Sequence, residues 1–164
     1  MKKLLLCRHA KSSWDHPGLN DHQRPLAPRG LKDAPIMAGR LLKKGFLPDH
    51  IISSDAKRAI ETAEIFAQIL GFEVSDIQKT SELYQANVTE ILKVIKKIPD
   101  SVDSLLLFGH NPELTDFLEY LGEDLDNLPT CGVFGFEFAI DQWRDLSGEN
   151  ARFWYYDFPK NKKI

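Results

Sequence analysis

The stretch KLLLCRH, residues 3–9, runs four apolar side chains straight into an arginine and a histidine. Apolar residues that follow one another without alternation fit a strand buried on both faces, as in the middle of a parallel sheet. A first strand is therefore predicted over residues 3–7. A second run of this kind, LLLF at 105–108, leads into Gly109 and His110.

Helical patterns separate the strands. Leu31, Ala34, Ala38, Leu41 and Leu42 recur at helical spacing with Gly45 as a stop, and Pro35 fits only near the start of such a helix. Ile51-Ile52 reads as a short strand. Ala59, Ile60, Ala63, Phe66, Ala67 and Leu70 line one face of a helix ending at Gly71. A third strand is expected near residues 73–77. Asn87 then caps a helix, with Glu90 at the capping-box position and a stripe of Val88, Ile91, Leu92, Ile95 and Ile98. Asn111 reads as the N-cap and Pro112 as the first residue of a helix buried through Leu114, Phe117, Leu118 and Leu121. The aromatic-rich segments 133–140 and 151–158, joined by a turn at 147–150, read as an antiparallel pair. The fold class expected is α/β: a three-layer sandwich with a mostly parallel central sheet, helices on both faces and an antiparallel C-terminal strand pair.

The 164 residues predict one domain over 1–164. At 43% apolar and 27% charged, the chain is neither disordered nor collagen-like. The apolar run at 4–7 is too short for a signal-peptide core or a membrane span, so no membrane partner is expected. Two cysteines, Cys7 and Cys131, without an export signal point to reduced thiols and a cytoplasmic location. Net charge is −3, but residues 1–58 carry +7 and residues 59–164 carry −10. The basic residues are scattered without aromatic interleaving, which fits a site for an anionic group better than a nucleic-acid surface.

The polar segment from Arg8 to about Gly30 is long for a connection, and long loops in compact domains tend to be functional. His9 and His110 each follow a predicted parallel strand, so both reach the rim outside the strand ends, where ligands of open α/β sheets bind. His110 also precedes a helix start, where amides and dipole favour an anion. Arg8 adjoins His9, and Arg58 lies in the first turn of the helix after Ile51-Ile52. Two arginines, whose planar forks match phosphoryl oxygens, and two histidines thus converge as a phosphate clamp. Taken singly, each has a plainer role: Arg58 pairing with Glu61 or Glu64, His110 helping to cap a helix. Rival chemistries lack their patterns. Neither cysteine has an arginine six positions on, and no Gly-x4-Gly-Lys-Ser/Thr loop is present. Asp124 and Asp126 follow a helix, and Asp15-His16 and Asp21-His22 lack zinc-type spacing. No metal and no other cofactor is expected.

These motifs resemble the histidine phosphatase superfamily, in the short phosphohistidine phosphatase branch typified by bacterial SixA proteins. LLCRHAK resembles the family's Arg-His-Gly motif with Ala10 in place of glycine. Arg24-Pro25-Leu26 with Arg29-Gly30, the Ser54-to-Thr62 segment around Arg58, and Phe108-Gly-His110-Asn111-Pro112 follow in family order. The resemblance implies that His9 is the nucleophile that becomes phosphorylated, with Arg8, Arg58 and His110 holding the phosphoryl oxygens. It also implies a carboxylic acid in many members, for which Glu82 is the candidate by position, the alternative being a surface glutamate. Arg24 and Asn111 are candidate substrate-binding residues, although Arg24 can equally pair with Asp21. Trp14 is read as covering the core edge, the alternative being a wall for substrate. The expected function is a metal-independent phosphatase acting on protein phosphohistidine. Its rivals are a small-molecule phosphomonoesterase and a catalytically silent phosphate-binding module.

Overall fold

The unbroken apolar run near the N-terminus is explained by partners on both of its edges. In the computed structural model, which describes residues 1–162, β1 (Lys2–Arg8) lies between β4 (Ser104–Gly109), to which it is parallel, and β5 (Val133–Phe138), to which it is antiparallel. The last two residues of the expected 1–164 domain lie outside the described residues. With β2 (His50–Ser54), β3 (Gln78–Thr80) and β6 (Ala151–Asp157), one sheet forms in the order β3-β2-β4-β1-β5-β6. It is parallel from β3 to β1 and antiparallel beyond, as expected of the α/β sandwich.

Alternate side chains of β1 feed two separate cores. Leu4 and Leu6 pack with Ile91 and Ile95 of α3 (Val88–Lys96) and Phe117 of α4 (Glu113–Tyr120). Leu5 and Cys7 pack on the other face with Met37 and Leu41 of α1 (Pro28–Lys44) and Phe66 of α2 (Lys57–Leu70). No helix among the described residues is long and apolar enough to cross a membrane.

Local chemistry sets the element ends and corrects several expectations. α1 begins at Pro28, whose ring suits the first helical position, and ends at Gly45, at φ 92°. Pro35 therefore lies inside the helix rather than at its start. It is exposed, so the carbonyl deprived of its intrahelical donor is on the solvent side. The buried face is also rotated: Leu31 and Leu42 are exposed, and Gly30, Ala34, Met37, Ala38 and Leu41 are buried. The third strand comes later than expected, because residues 74–76 form a 3-10 turn ahead of it. The turn at 147–150 is likewise a 3-10 helix, Gly148–Asn150, running straight into β6. α4 begins at Glu113, one residue later than expected. Asn111 still caps it from further out, its Oδ1 accepting from the Thr115 amide at 3.2 Å.

The long loop between β1 and α1 is closed at its base. Ser12 bridges to Leu26, Ser13 N–H donates to the Pro25 carbonyl (2.8 Å), and Ala27 N–H donates to the Lys11 carbonyl (2.8 Å). Gly30 makes this closure possible, since a Cβ there would lie 2.2 Å from the Lys11 carbonyl oxygen. Gly39, on the same helix, has open space around it. Gly30→Ala is expected to cost about 1–3 kcal/mol through overpacking. Gly39→Ala should add about 0.4–1 kcal/mol by restricting the unfolded chain. Urea unfolding of both variants checks this; equal shifts would mean that α1 does not press on Lys11.

Candidate active site

Register decides which side chains meet. Arg8 pairs with Gly109 across β1 and β4, and His9 N–H donates to the Gly109 carbonyl at 3.1 Å. His9 and His110 therefore leave the sheet side by side, with ring centroids 5.2 Å apart. Both are buried. The Nδ1 of His9 lies 2.7 Å from the Ala10 carbonyl, which fixes the proton there and leaves the Nε2 lone pair for attack. Ala10 is itself fully buried, its N–H donated to the Thr62 hydroxyl at 3.0 Å. The Nε2 of His110 lies 2.8 Å from Oγ of Ser54, at the end of β2.

Around the two rings is a cavity of about 210 Å³ whose lining includes Arg8, Lys11, Arg24 and Arg58 and no aspartate or glutamate. Each arginine is anchored from behind. Arg8 donates through Nη1 to the Leu128 carbonyl (3.0 Å). Arg58 donates to the Asp21 carbonyl and, through Nη2, to its carboxylate (2.6 and 2.9 Å). Arg24 donates to the other Asp21 oxygen through Nε and Nη2, and to Ser12 Oγ at 2.7 Å. Tyr84 completes the hub, its hydroxyl donating to Asp21 at 2.7 Å. That hydrogen bond, followed by those of Arg58 and Arg24, holds the Asp21 carboxyl well below the usual carboxylate range.

Three buried side-chain nitrogens have no hydrogen-bond partner among the described residues: Arg8 Nε, Arg58 Nε and His110 Nδ1. All belong to residues that line this cavity. The arginine Nε–H groups are donors, and so is His110 Nδ1 with the Ser54 hydroxyl, which accepts from Ala56 N–H, donating to Nε2. Buried donors are rarely left unpaired, so a cluster of them marks a place where a ligand supplies acceptors. Burial and the nearby arginines push His9 down to about 3, and burial, His9 and Arg58 push His110 down to about 3. Both rings are neutral at physiological pH. The arrangement suits a tetrahedral anion facing a neutral nitrogen nucleophile.

The profile of the histidine phosphatase superfamily (branch 1) matches residues 4–125, most of the chain. The chain belongs to the histidine phosphatase superfamily. An uncharacterized chloroplastic protein of Arabidopsis thaliana is 32% identical over 159 residues, covering 90% of this chain and 72% of that one. An uncharacterized Mycobacterium leprae protein is 31% identical, covering 93% and 99%. Among solved structures, a protein assigned as phosphohistidine phosphatase SixA from Agrobacterium tumefaciens superposes with a TM-score of 0.80 at 28% identity, covering 96% of this chain and 98% of that one. The protein histidine phosphatase SixA complexed with tungstate shares the fold, with a TM-score of 0.80 at 21% identity and coverage of 96% and 97%. This histidine phosphatase is SixA-like in fold, and family and fold together make it a phosphatase.

The cavity of the phosphatase brings together Arg8, His9, Arg24, Arg58, His110 and Asn111. The Asn111 amide is spent on structure, donating to Asn127 Oδ1 and the Leu128 carbonyl at 2.9 Å each. Leu114 N–H donates to the His110 carbonyl and Thr115 N–H to Asn111, so these amides of the α4 start serve the cap rather than an anion. Glu82 stands apart. Its carboxylate is exposed, lies 3.4 Å from Lys97 Nζ, and is not among the groups lining the cavity. Trp14 is 70% exposed rather than set against the core; it lines the cavity, in line with the alternative of a wall, and the Arg24 guanidinium stacks on it at 3.6 Å. Arg58 pairs with Asp21, not with Glu61 or Glu64. Lys11, Ser12 and Thr130 line the cavity without having been singled out as site residues. Their place directly after Arg8-His9-Ala10 in the long polar segment is the sequence signal for the first two.

The two depressed histidines tie stability to pH. Below pH 6.5 the unfolded chain takes up a proton at each ring that the folded chain refuses until about pH 3. Unfolding free energy should therefore fall as pH drops through this window, by up to about 1.4 kcal/mol per pH unit for each ring, and these groups should contribute no slope above it. Urea unfolding at pH 7 and pH 5 should show a smaller loss for a His9→Asn, His110→Asn double variant than for wild type. Equal losses would mean that neither ring is held neutral.

Proposed function

We propose that this phosphatase works without a metal through a covalent phosphohistidine on His9, and that its substrate is phosphohistidine on another protein. The observation that carries the reading is the set of three unpaired buried donors, on Arg8, Arg58 and His110, beside a neutral His9. In the first step, Nε2 of His9 attacks phosphorus and the bond to the leaving group breaks. Charge on the three equatorial oxygens meets Arg8, Arg58 and Nδ1–H of His110, with Arg24 adding positive potential. Fixed donors of this kind account for most of the catalysis of phosphoryl transfer. In the second step water attacks the phosphorylated His9, phosphate leaves, and Nε2 regains its lone pair.

The leaving group favours one substrate class. An alkyl ester must expel an alkoxide, which calls for a proton donor, and no carboxylate lines the cavity. Phosphohistidine expels an imidazole, which leaves as a neutral ring when its far nitrogen carries the proton. Glu82, the candidate acid, would have to leave Lys97 to serve an ester. The A. tumefaciens relative, assigned as a phosphohistidine phosphatase, supports the same class.

Hydrolysis of p-nitrophenyl phosphate and of a histidine-phosphorylated protein, both in EDTA, tests the proposal. Wild type should turn over both and carry an acid-labile phosphoryl label, and His9→Ala should do neither. Arg58→Ala should lose about 2–4 kcal/mol of transition-state stabilisation, roughly 30- to 1,000-fold in rate. Turnover of sugar phosphates well above phosphohistidine protein would replace this substrate class with small phosphomonoesters. Absence of any label and any turnover would make the protein a silent phosphate binder.

A further inference from the structure

We infer that the groove next to the phosphate cavity holds an acidic side chain of the phosphorylated protein, so that the enzyme selects phosphohistidines with a neighbouring carboxylate. The inference rests on the proposed phosphohistidine activity. The groove, about 240 Å³, is lined by Arg29, Asp33, Pro129, Thr130, Phe158 and Lys160, among others. Thr130 also lines the phosphate cavity, so the two share a wall.

That wall is rigid and tied to the nucleophile. Gly132 N–H donates to the Pro129 carbonyl at 2.8 Å, closing the turn. Cys131 N–H donates to the carbonyls of Arg8 and His9, at 3.0 and 3.1 Å. A Cβ on Gly132 would lie 2.8 Å from the Pro129 oxygen, so the turn has no slack. A group seated in the groove therefore sits at a fixed offset from the phosphorus that His9 attacks.

The chemistry of the groove selects an anion on an apolar stem. Phe158 and Pro129 supply apolar walls, and the two cations Arg29 and Lys160 outnumber the one carboxylate, Asp33. The Arg29 side chain is 52% exposed, and its internal contacts are loose: Nη2 lies 3.4 Å from Thr130 Oγ1 and Nε 3.9 Å from Asp33. Unlike Arg8, Arg24 and Arg58, it does not line the phosphate cavity. With contacts this long and half its side chain exposed, it can turn toward a second charge. Glutamate and aspartate side chains on a partner have the matching form. A protein fits better than a small anion because neither cavity reaches the roughly 300–1,000 Å³ in which small ligands are enclosed. A protein partner needs only a few anchors and brings the rest of its surface with it.

Two histidine-phosphorylated peptides differing only in a glutamate or glutamine beside the phosphohistidine test this. Wild type should prefer the glutamate peptide in kcat/KM by about three- to tenfold, and the preference should shrink with added salt, as expected of exposed charge pairs. Arg29→Glu with Lys160→Glu should abolish or invert that ratio. Because each enzyme is compared with itself on two peptides, partial loss of folded protein cancels. Equal turnover of both peptides by wild type overturns the inference while leaving the phosphohistidine reading intact. Turnover of neither peptide by an enzyme active on p-nitrophenyl phosphate overturns both. An Arg29- and Lys160-dependent preference for 3-phosphoglycerate over the peptides would overturn the inference by assigning the groove to a small anionic substrate.

Discussion

The register of β1 against β4 is the constraint on which the site depends. Because Arg8 faces Gly109, the next residue of each strand is a histidine, and the rings come out 5.2 Å apart. Burial pattern alone does not fix this register, since both faces of β1 are apolar and a slip would exchange leucine for leucine. The ends of the strand fix it. Lys2 is buried, and its amine donates to the Val102 carbonyl (3.0 Å) and to Asp103 (2.9 Å), just before β4. At the other end, a slip that drew Arg8 inward would bury a guanidinium in the sheet without its Leu128 acceptor.

Given that register, electrostatics follow from what the cavity excludes. Four cations line it, and the carboxylate that balances two of them, Asp21, sits behind the guanidiniums. Positive charge and burial both disfavour an imidazolium, so both histidines are held neutral. Neutrality is what a nitrogen nucleophile needs; burial supplies most of it, and the arginines proposed to bind the phosphoryl oxygens add to it. Tyr84, bonded to Asp21 and set edge-on to His110, links the anchor to the second ring.

Much of this was legible because it lies at strand ends. Continuous apolar runs located β1 and β4, and the residues immediately after them could only reach the rim. The Asn87–Glu90 capping box appears in the structure as read, each side chain bonding the other's backbone amide. Features set by tertiary contact were not legible. Thr130 comes from a turn before β5, an antiparallel strand that brings its beginning, not its end, to the rim. Glu82 follows a strand end too, but β3 is the sheet edge, separated from β1 by β2 and β4. Position after a strand was therefore a fair guide only for the central strands. Trp14 failed the rule that aromatics pack inward because a buried arginine offers its ring a partner at the surface.

The unpaired donors also explain why the site is built from anchored arginines rather than free ones. Arg8 is fixed through Nη1 with Nε unpaired, and Arg58 is fixed through both Nη atoms with Nε unpaired. An unpaired buried donor costs folding stability, on the order of 1–3 kcal/mol each. In the proposed reaction the same fixation means that little has to rotate or desolvate when charge develops on the phosphoryl oxygens. A solvated lysine in the same place would cost nothing in the free protein, but it would lose that advantage at the moment of reaction. Strain of this kind persists only where the surroundings over-determine it. Here the Asp21 hub, the closed loop at Gly30 and the Pro129–Gly132 turn hold the cavity from three sides.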